Sequence, residues 1–425
     1  MRAALWLMAL FAIAVASALF AGNNQGSVTV YWHPYRVDLS LNLVLLLLVG
    51  SFVLLHGAMR ALSALLKIPQ QARSWRLLQK ERAMHVALLD AISHLYAGRF
   101  VRSRKSAELV VSLEESVERS GEHLPYAGRL RTLSHLLAGE SAHALQDRVV
   151  RDGHFQKALA ETDHREAADV RDGVLLRAAR WSFEDRDAGA ALQWLEQLPH
   201  GAARRTAALR LRFKASRLAG QSLVALDTVR LLTKHRAFSE AAGKSITRGL
   251  ALEMIRTAYD PAQVQRAWDA LDHSEQTLPE VAVAAAEQLL AYGGEAVMAR
   301  LWLLPVWQLM LQRRDALSLP QRVRLVQALE KSFSVSGGAP NTAWLARVEA
   351  AQLADPRDAV LQYLAGVVCM QLGLWGKAQQ LLKQSLTLLD DSELRRDAWL
   401  ATARLAEQRH DAAAATEAYR EAAKR

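Results

Sequence analysis

"YLAGVVCMQLGLWGKAQQLLKQSL" runs from Tyr363 to Leu386, and its spacing decides how the body of the chain is read. Gly366, Cys369, Gly373, Ala378, Leu382 and Ser385 follow in the order small, large, small, small, large, small. That order suits two antiparallel helices, with small residues where the backbones approach, large ones filling the gaps, and Gly373 near the turn. Within it, Trp375 is expected to cap the hairpin core and Lys377 to face a groove. The next stretch, "ATARLAEQRHDAAAATEAYREA", repeats the order with Ala403, Ala406, His410, Ala415, Tyr419 and Ala422.

The pattern resembles the tetratricopeptide repeat, with the interval from Gly366 to Ala403 slightly longer than the ~34 residues of the ideal unit. Weaker copies place Ala91 and Gly98, Thr132, Gly139 and Ala144, Ala179 and Ala191, and Gly220 and Ala225 at corresponding positions. Together they predict an all-α body, a tetratricopeptide-like α-solenoid in which each hairpin buries its apolar face against its neighbours. Hairpins of this kind are expected over 85–235, irregular helical hairpins over 236–352, and terminal units over 353–425. Breaks in the irregular region fall at Asp260-Pro261, Leu278-Pro279, Tyr292-Gly293-Gly294 and Ser336-Gly337-Gly338-Ala339-Pro340. Trp302, Leu303, Val306 and Trp307, around Pro305, read as the inside of a hairpin.

The 425 residues are 51% hydrophobic, and the apolar excess gathers at the N-terminus. From Ala3 to Ala21 no residue is charged, close to the ~20 residues that cross a bilayer. A cleavable signal peptide is the competing reading, against which Leu19 fits poorly at a small-residue position. A second apolar run extends from Leu39 to Met59, with Asn42, Ser51 and His56 among its few polar members. The expected anchor is therefore 1–60, with spans 3–21 and 39–59 and a short outer loop 22–38.

A basic juxtamembrane helix, 61–84, follows the second span. Arg60, Lys67, Arg73, Arg76, Lys80 and Arg82 are opposed only by Glu81, whereas the loop offers Arg36 balanced by Asp38. The positive-inside rule then puts the loop outside and both the N-terminus and the body in the cytoplasm. The formal charge of +10 is explained by anionic lipid at that helix, and no nucleic-acid-binding signature accompanies it. Tyr31, Trp32 and Tyr35 sit where an aromatic belt belongs, or where a loop would meet a partner, while Val28 and Val30 alternate as in an extended segment. Gly50, Gly57 and Ala61 would let another helix come close to the second span.

Cys369 is the only cysteine, so no internal disulfide and no thiolate metal centre can form. No dinucleotide fingerprint, phosphate loop, nucleophile elbow or His-Glu-x-x-His pair occurs, and the expectation is a scaffold without enzymatic activity. His123, His135 and His143 are read as surface or helix-terminal histidines. His56 is an ionisable group inside a span, close to its cytoplasmic end.

Across nearly its whole length the chain resembles the HemY-type membrane proteins of proteobacteria. The resemblance rests on the two spans, the inter-span residues Gly26, Val28, Val30, Tyr35, Arg36, Val37, Asp38 and Ser40, the basic helix, and the terminal Trp375, Gly376, Lys377 and Ala378. It implies a multi-pass protein of the bacterial inner membrane, its short loop periplasmic, associated with a late step of protohaem synthesis. The implied role is to organise haem-pathway enzymes, ferrochelatase or a porphyrinogen oxidase among them. Trp32, Tyr35, Arg36, Ser40, Trp375 and Lys377 are the motif and partner-contact candidates. No cofactor is required; haem or porphyrin is an optional ligand, with His56 or Cys369 as axial candidates. The alternative is an envelope-assembly adaptor of the kind that regulates lipopolysaccharide synthesis, although those proteins carry paired cysteines and a single span.

Overall fold

The computed structural model describes residues 2–334 and 342–424. The break expected at Ser336–Pro340 lies outside the described residues. The described residues divide into two compact units, 1–169 and 170–425.

The first unit opens with α1 (Arg2–Asn23) and a β-hairpin, β1 (Ser27–Trp32) and β2 (Tyr35–Ser40), followed by α2 (Leu41–Tyr96), α3 (Phe100–Glu118), α4 (Ala127–Ala144) and α5 (Arg148–Glu161). The strands pair antiparallel with Val28 opposite Leu39, Val30 opposite Val37 and Trp32 opposite Tyr35. Because side chains alternate along a strand, these six share one face, while Thr29, Tyr31, Arg36 and Asp38 share the other. Among the described residues this small sheet is the one departure from a helical chain. Ser40 ends it by capping α2, its Oγ accepting from the Leu43 N–H at 3.3 Å.

α2 runs unbroken for 56 residues, so no backbone break marks the divisions drawn at 60/61 and 84/85. Its segment Leu41–Ser63 is long and apolar enough to cross a membrane. In α1 the described apolar stretch, Met8–Leu19, is shorter than a span. Beyond the apolar segment, Met84, Ala87 and Ala91 turn one face of α2 onto α3.

The second unit continues with α6 (Arg171–Glu184), α7 (Ala188–Glu196), α8 (His200–Ala203), α9 (Thr206–Leu218), α10 (Ser222–Lys234) and α11 (Glu240–Thr257). Next come α12 (Pro261–Asp269), α13 (His273–Gln276), α14 (Pro279–Ala291), α15 (Ala296–Gln312) and α16 (Leu319–Ser334). It closes with α17 (Thr342–Ala354), α18 (Ala359–Gln371), α19 (Trp375–Leu388), α20 (Ser392–Gln408) and α21 (Ala412–Ala423). Paired helices form the layers: α6 on α7, α9 on α10, α14 on α15, α18 on α19 and α20 on α21.

One turn recurs in both units. Gly98, Gln146, Arg186, Gly220, Gly373 and His410 all have positive φ, between 58° and 74°. The residue after each donates its N–H to the carbonyl five residues back: Arg99 to His94, Asp147 to Ala142, Asp187 to Ser182, Gln221 to Ser216, Leu374 to Cys369 and Asp411 to Ala406. This is the left-handed helix stop, which reverses the chain and satisfies carbonyls that would otherwise lack donors. The copy read at Thr132, Gly139 and Ala144 is therefore displaced by seven residues. Gly139 lies inside α4, and the turn is at Gln146.

Between the regular hairpins, large aromatics replace small-residue contacts. Trp268 stacks on Trp302 with centroids 4.7 Å apart, and Trp307 meets Trp344 edge to face at 6.0 Å. Trp302, Leu303, Val306 and Trp307 are all buried, as read from the sequence. Pro305 stays inside α15 without ending it. Asp260 caps α12 ahead of Pro261, Pro279 opens α14 and Gly293 follows its end, so those three breaks are helix boundaries.

Glycines of the terminal hairpin offer a direct check on the close-packing argument. A Cβ at Gly366 would lie 2.8 Å from Leu382 Cγ and 3.3 Å from its backbone N, whereas one at Gly376 meets nothing within 4 Å. Gly366→Ala is expected to destabilise the second unit by about 1–3 kcal/mol, and Gly376→Ala to leave it unchanged or raise it by up to about 1 kcal/mol. Urea midpoints of the two variants provide the comparison; equal midpoints would contradict the close approach.

Candidate functional site

A cleft of about 900 Å³ lies among α15, α16, α17 and α18 in the second unit. Its apolar wall is Leu304, Trp307, Met310 and Leu311 from α15, and its polar wall is Arg322, Arg347, Asp355 and Asp358. A neighbouring recess of about 490 Å³ shares Arg322, Asp355 and Asp358. The two recesses therefore meet at one ion pair.

That pair is built by helix termini. Asp358 is the N-cap of α18, its Oδ1 accepting from Val360 N at 3.0 Å and Leu361 N at 3.3 Å. Its other oxygen, Oδ2, accepts from Arg322 Nη2 in the first turn of α16. One carboxylate thus ties two helices together at the floor of the cleft. Arg322 Nε is buried without a hydrogen-bond partner. At the rim, the Arg347 guanidinium lies over the Trp344 ring, 5.3 Å from its centroid. An apolar wall facing guanidinium groups suits a flat or elongated apolar group that carries a carboxylate.

The residues singled out from sequence are scattered relative to this cleft. Trp32 and Tyr35 close the β-hairpin as cross-strand partners, Trp32 being 77% exposed. Arg36 reaches Asp38 at 3.3 Å and lies over the Tyr31 ring at 5.6 Å, while Thr29 Oγ1 donates to Asp38 at 2.6 Å. The inter-span motif is thus a folding motif: Gly26 accepts from Leu41 N at 2.8 Å, and Ser40 starts α2. His56 is exposed on the apolar segment of α2, stacked on Phe52 at 6.3 Å.

Cys369 is fully buried, and burial pushes its thiol pKa up. Its carbonyl closes the turn at Leu374. Trp375, expected to cap the hairpin core, is 38% exposed: as the first residue of α19 it precedes the buried stripe that begins at Ala378. Lys377 donates to Glu349 at 2.8 Å and is half exposed, which joins α19 to α17.

The first unit holds a polar cluster that sequence spacing did not reveal. His135 on α4 and His154 on α5 meet Nδ1 to Nδ1 at 3.1 Å, and His154 Nε2 lies 3.5 Å from Glu108. His135 is 7% exposed, correcting its reading as a surface histidine. Burial, with His154 and then Lys157 and Arg131 adding to it, lowers the His135 pKa to about 4. His123 stands apart, 2.9 Å from Glu166, and His143 Nδ1 accepts from Arg151 Nη1 at 3.1 Å. Nothing in the sequence pairs positions 135 and 154, because their contact depends on how α4 and α5 cross.

Two outcomes follow from these contacts. Asp358→Ala removes both a helix cap and one partner of a largely buried ion pair, so a loss of about 2–4 kcal/mol is expected in urea unfolding, with Asp358→Asn losing less because it keeps the cap. His135 binds its proton less readily folded than unfolded, so the unfolded chain takes up more protons between about pH 4 and 6.5. Stability should therefore be fully present above pH 6.5 and fall as the pH drops towards 4. A His135→Leu variant should flatten that slope, and an unaltered slope would refute the assignment.

Comparison with known proteins bears on the N-terminal half. Residues 26–146 match the family model described as HemY protein N-terminus, a segment that begins at the β-hairpin and ends at the turn after α4. No curated protein matches the chain. Among solved structures, yeast Tom70 is similar at 14% identity over 79% of this chain and 67% of that one, with a TM-score of 0.29. The Cut9–Hcn1 hetero-tetramer of APC/C gives 13% identity, 80% and 66% coverage and a TM-score of 0.30. The tetratricopeptide domain of P58(IPK) gives 13% identity, 82% and 100% coverage and a TM-score of 0.22. The chain spans about two thirds of the length of the first two, and scores this low carry no argument beyond the hairpins already described. Residues 26–146 are thus similar to the HemY N-terminus, and the rest of the described chain is built of tetratricopeptide-like helical hairpins.

Proposed function

We propose that the protein is an inner-membrane-anchored scaffold acting at a late step of protohaem synthesis. The observation that carries this reading is the HemY N-terminal match over 26–146, which includes the apolar segment Leu41–Ser63 and the first helices of the repeat body. In this reading α1 and the apolar part of α2 both cross the membrane, and the β-hairpin lies on the periplasmic side. Its face of Val28, Val30, Trp32, Tyr35, Val37 and Leu39 rests against the lipid interface, where amphipathic aromatic rings are favoured. The basic residues after Ser63 meet anionic headgroups, and the repeat body in the cytoplasm holds haem-pathway enzymes, ferrochelatase among them, without catalysing a step itself.

The cleft among α15–α18 is where we place contact with a tetrapyrrole passing between those enzymes. Leu304, Trp307 and Leu311 would lie against the macrocycle and Arg347 would meet a propionate. The described lining contains no histidine or cysteine, and Met310 is its one sulfur. It therefore suits a passing porphyrin better than a resident haem, which wants a strong axial ligand.

Affinity purification of the full-length protein from detergent-solubilised membranes should recover a haem-pathway enzyme, and deletion should raise porphyrin levels. Recovery of none, with porphyrins unchanged, sinks the scaffold reading. Titration of protoporphyrin into the purified full-length protein should shift its Soret band, and Arg347→Glu should weaken binding about tenfold, the worth of a charge-assisted hydrogen bond. A spectrum that never shifts removes the tetrapyrrole from the cleft.

A further inference from the structure

α2 has two apolar faces beyond its membrane-length segment, and only one of them is covered. Met84, Ala87 and Ala91 pack against α3. On the opposite side Trp75, Leu78, Val86, Leu89 and Tyr96 are each between 51% and 88% exposed, with Arg82 standing among them. At 3.6 residues per turn these six positions fall within about 80° of the helix circumference. The first helix of a solenoid has no preceding hairpin to bury its outer face, and a terminal repeat that stays single carries polar residues there. Two aromatic rings and three aliphatic side chains in one stripe are instead the mark of an interaction surface.

The spacing says what kind of neighbour fits. Trp75, Arg82, Leu89 and Tyr96 recur every seven residues, and Leu78 stands three after Trp75. Counting back in sevens along the same unbroken helix reaches Ala61, Leu54 and Leu47, with Gly57 and Gly50 three after Leu54 and Leu47. A straight helix drifts by about 20° per heptad against such a repeat, so a seam kept in sevens over this length matches a second helix that supercoils around it.

Two nearby candidates cannot cover the stripe. α1 has 22 residues, about 33 Å of helix, and the Gly26 carbonyl ties the segment after it to Leu41 N, about 51 Å along α2 from Trp75. A bilayer holding Leu41–Ser63 is left behind by the continuous helix, since Trp75 lies about 18 Å and Tyr96 about 50 Å past Ser63 along its axis.

We propose that α2 pairs with α2 of a second copy of this chain in a parallel, two-stranded coiled coil, with Trp75, Leu78, Arg82, Val86, Leu89 and Tyr96 along the seam. Two copies anchored in one bilayer present the same stripe at the same height and in the same direction. A two-fold axis along the membrane normal then brings each seam residue against its own counterpart. Confinement to the membrane raises the effective concentration of the second copy. Within the apolar segment a Cβ added at Gly50 or Gly57 would meet nothing within 4 Å, so the seam is open there too and lets the backbones approach. Arg82 is the polar member of the seam, and a single polar residue at such a position fixes register and strand number at a cost in stability. The parallel direction rests on the membrane anchor of the scaffold reading; the homodimer goes beyond that reading.

The test uses the full-length protein in detergent. Light scattering, with the detergent subtracted, should give twice the mass of one chain, and L89E/Y96E should raise the concentration of half-dissociation about tenfold or more, because the seam would then bury unpaired carboxylates. Both side chains are exposed in the single chain, and an unchanged helical circular dichroism spectrum confirms that the variant folds. Oxidative crosslinking in membranes reads the direction: L89C should join to its own counterpart, as residues on a parallel seam do, and D90C, one position round the helix, should not. The parent supplies the background, its one cysteine, Cys369, being buried. The proposal is overturned if the parent is a single chain, if L89E/Y96E stays dimeric as pairing through Gly50 and Gly57 alone would leave it, or if L89C and D90C crosslink equally. It is likewise overturned if the parent is a single chain bound to a different protein that L89E/Y96E releases. None of these results depends on recovery of a haem-pathway enzyme, so the two ideas fail separately.

Discussion

Chain reversal within two residues, without a loop, is the constraint on which the regular hairpins depend. At each reversal one residue adopts the left-handed conformation and the next donates its N–H five residues back, as Leu374 does to Cys369 at 2.9 Å. Gly98, Gly220 and Gly373 do this without steric cost, whereas Gln146, Arg186 and His410 incur roughly 1–2 kcal/mol each. In those three cases the next residue is an aspartate whose side chain caps the following helix: Asp147 accepts from Val150, Asp187 from Ala190 and Asp411 from Ala414. A cap contributes about 1 kcal/mol, which offsets much of the strain. The short turn also holds paired helices antiparallel and close, and the small residues at their crossing complete the arrangement.

Where the turn chemistry changes, the packing changes with it. From α12 to α14 the helix starts are set by prolines and aspartate caps, although α14 ends on the same left-handed stop at Gly293, and the core from α12 to α17 is filled by Trp268, Trp302, Trp307 and Trp344. Bulky rings hold helices further apart than alanine or glycine does. The α15–α18 cleft opens beside this aromatic core, with Trp307 contributing to both. Irregularity in the repeat is thus the physical origin of this cleft.

The N-terminal part follows from a different constraint. Because α2 is continuous, the direction of its apolar segment also sets the direction of the first repeat helix. Ser40 begins that helix and the β-hairpin is joined to it through the Gly26 carbonyl. The residues that mark the HemY N-terminus are accordingly explained by local folding: a strand pair, an ion pair between Arg36 and Asp38, and a helix cap. Partner contact at Trp32 and Tyr35 is compatible with that role and is not needed to account for them.

By itself the sequence determined the helical class, the repeating hairpins, the apolar segment of α2 and the burial of Trp302 and Trp307, because each is written in local periodicity or turn chemistry. It misplaced one repeat by seven residues, since a left-handed Gln146 carries no compositional mark while Gly139 looks like one. Only the tertiary structure decided that His135 meets His154 and that Arg322 meets Asp358. Those meetings depend on how separate helices cross, and crossing angles follow from the summed packing of many side chains, which no short spacing in the chain records.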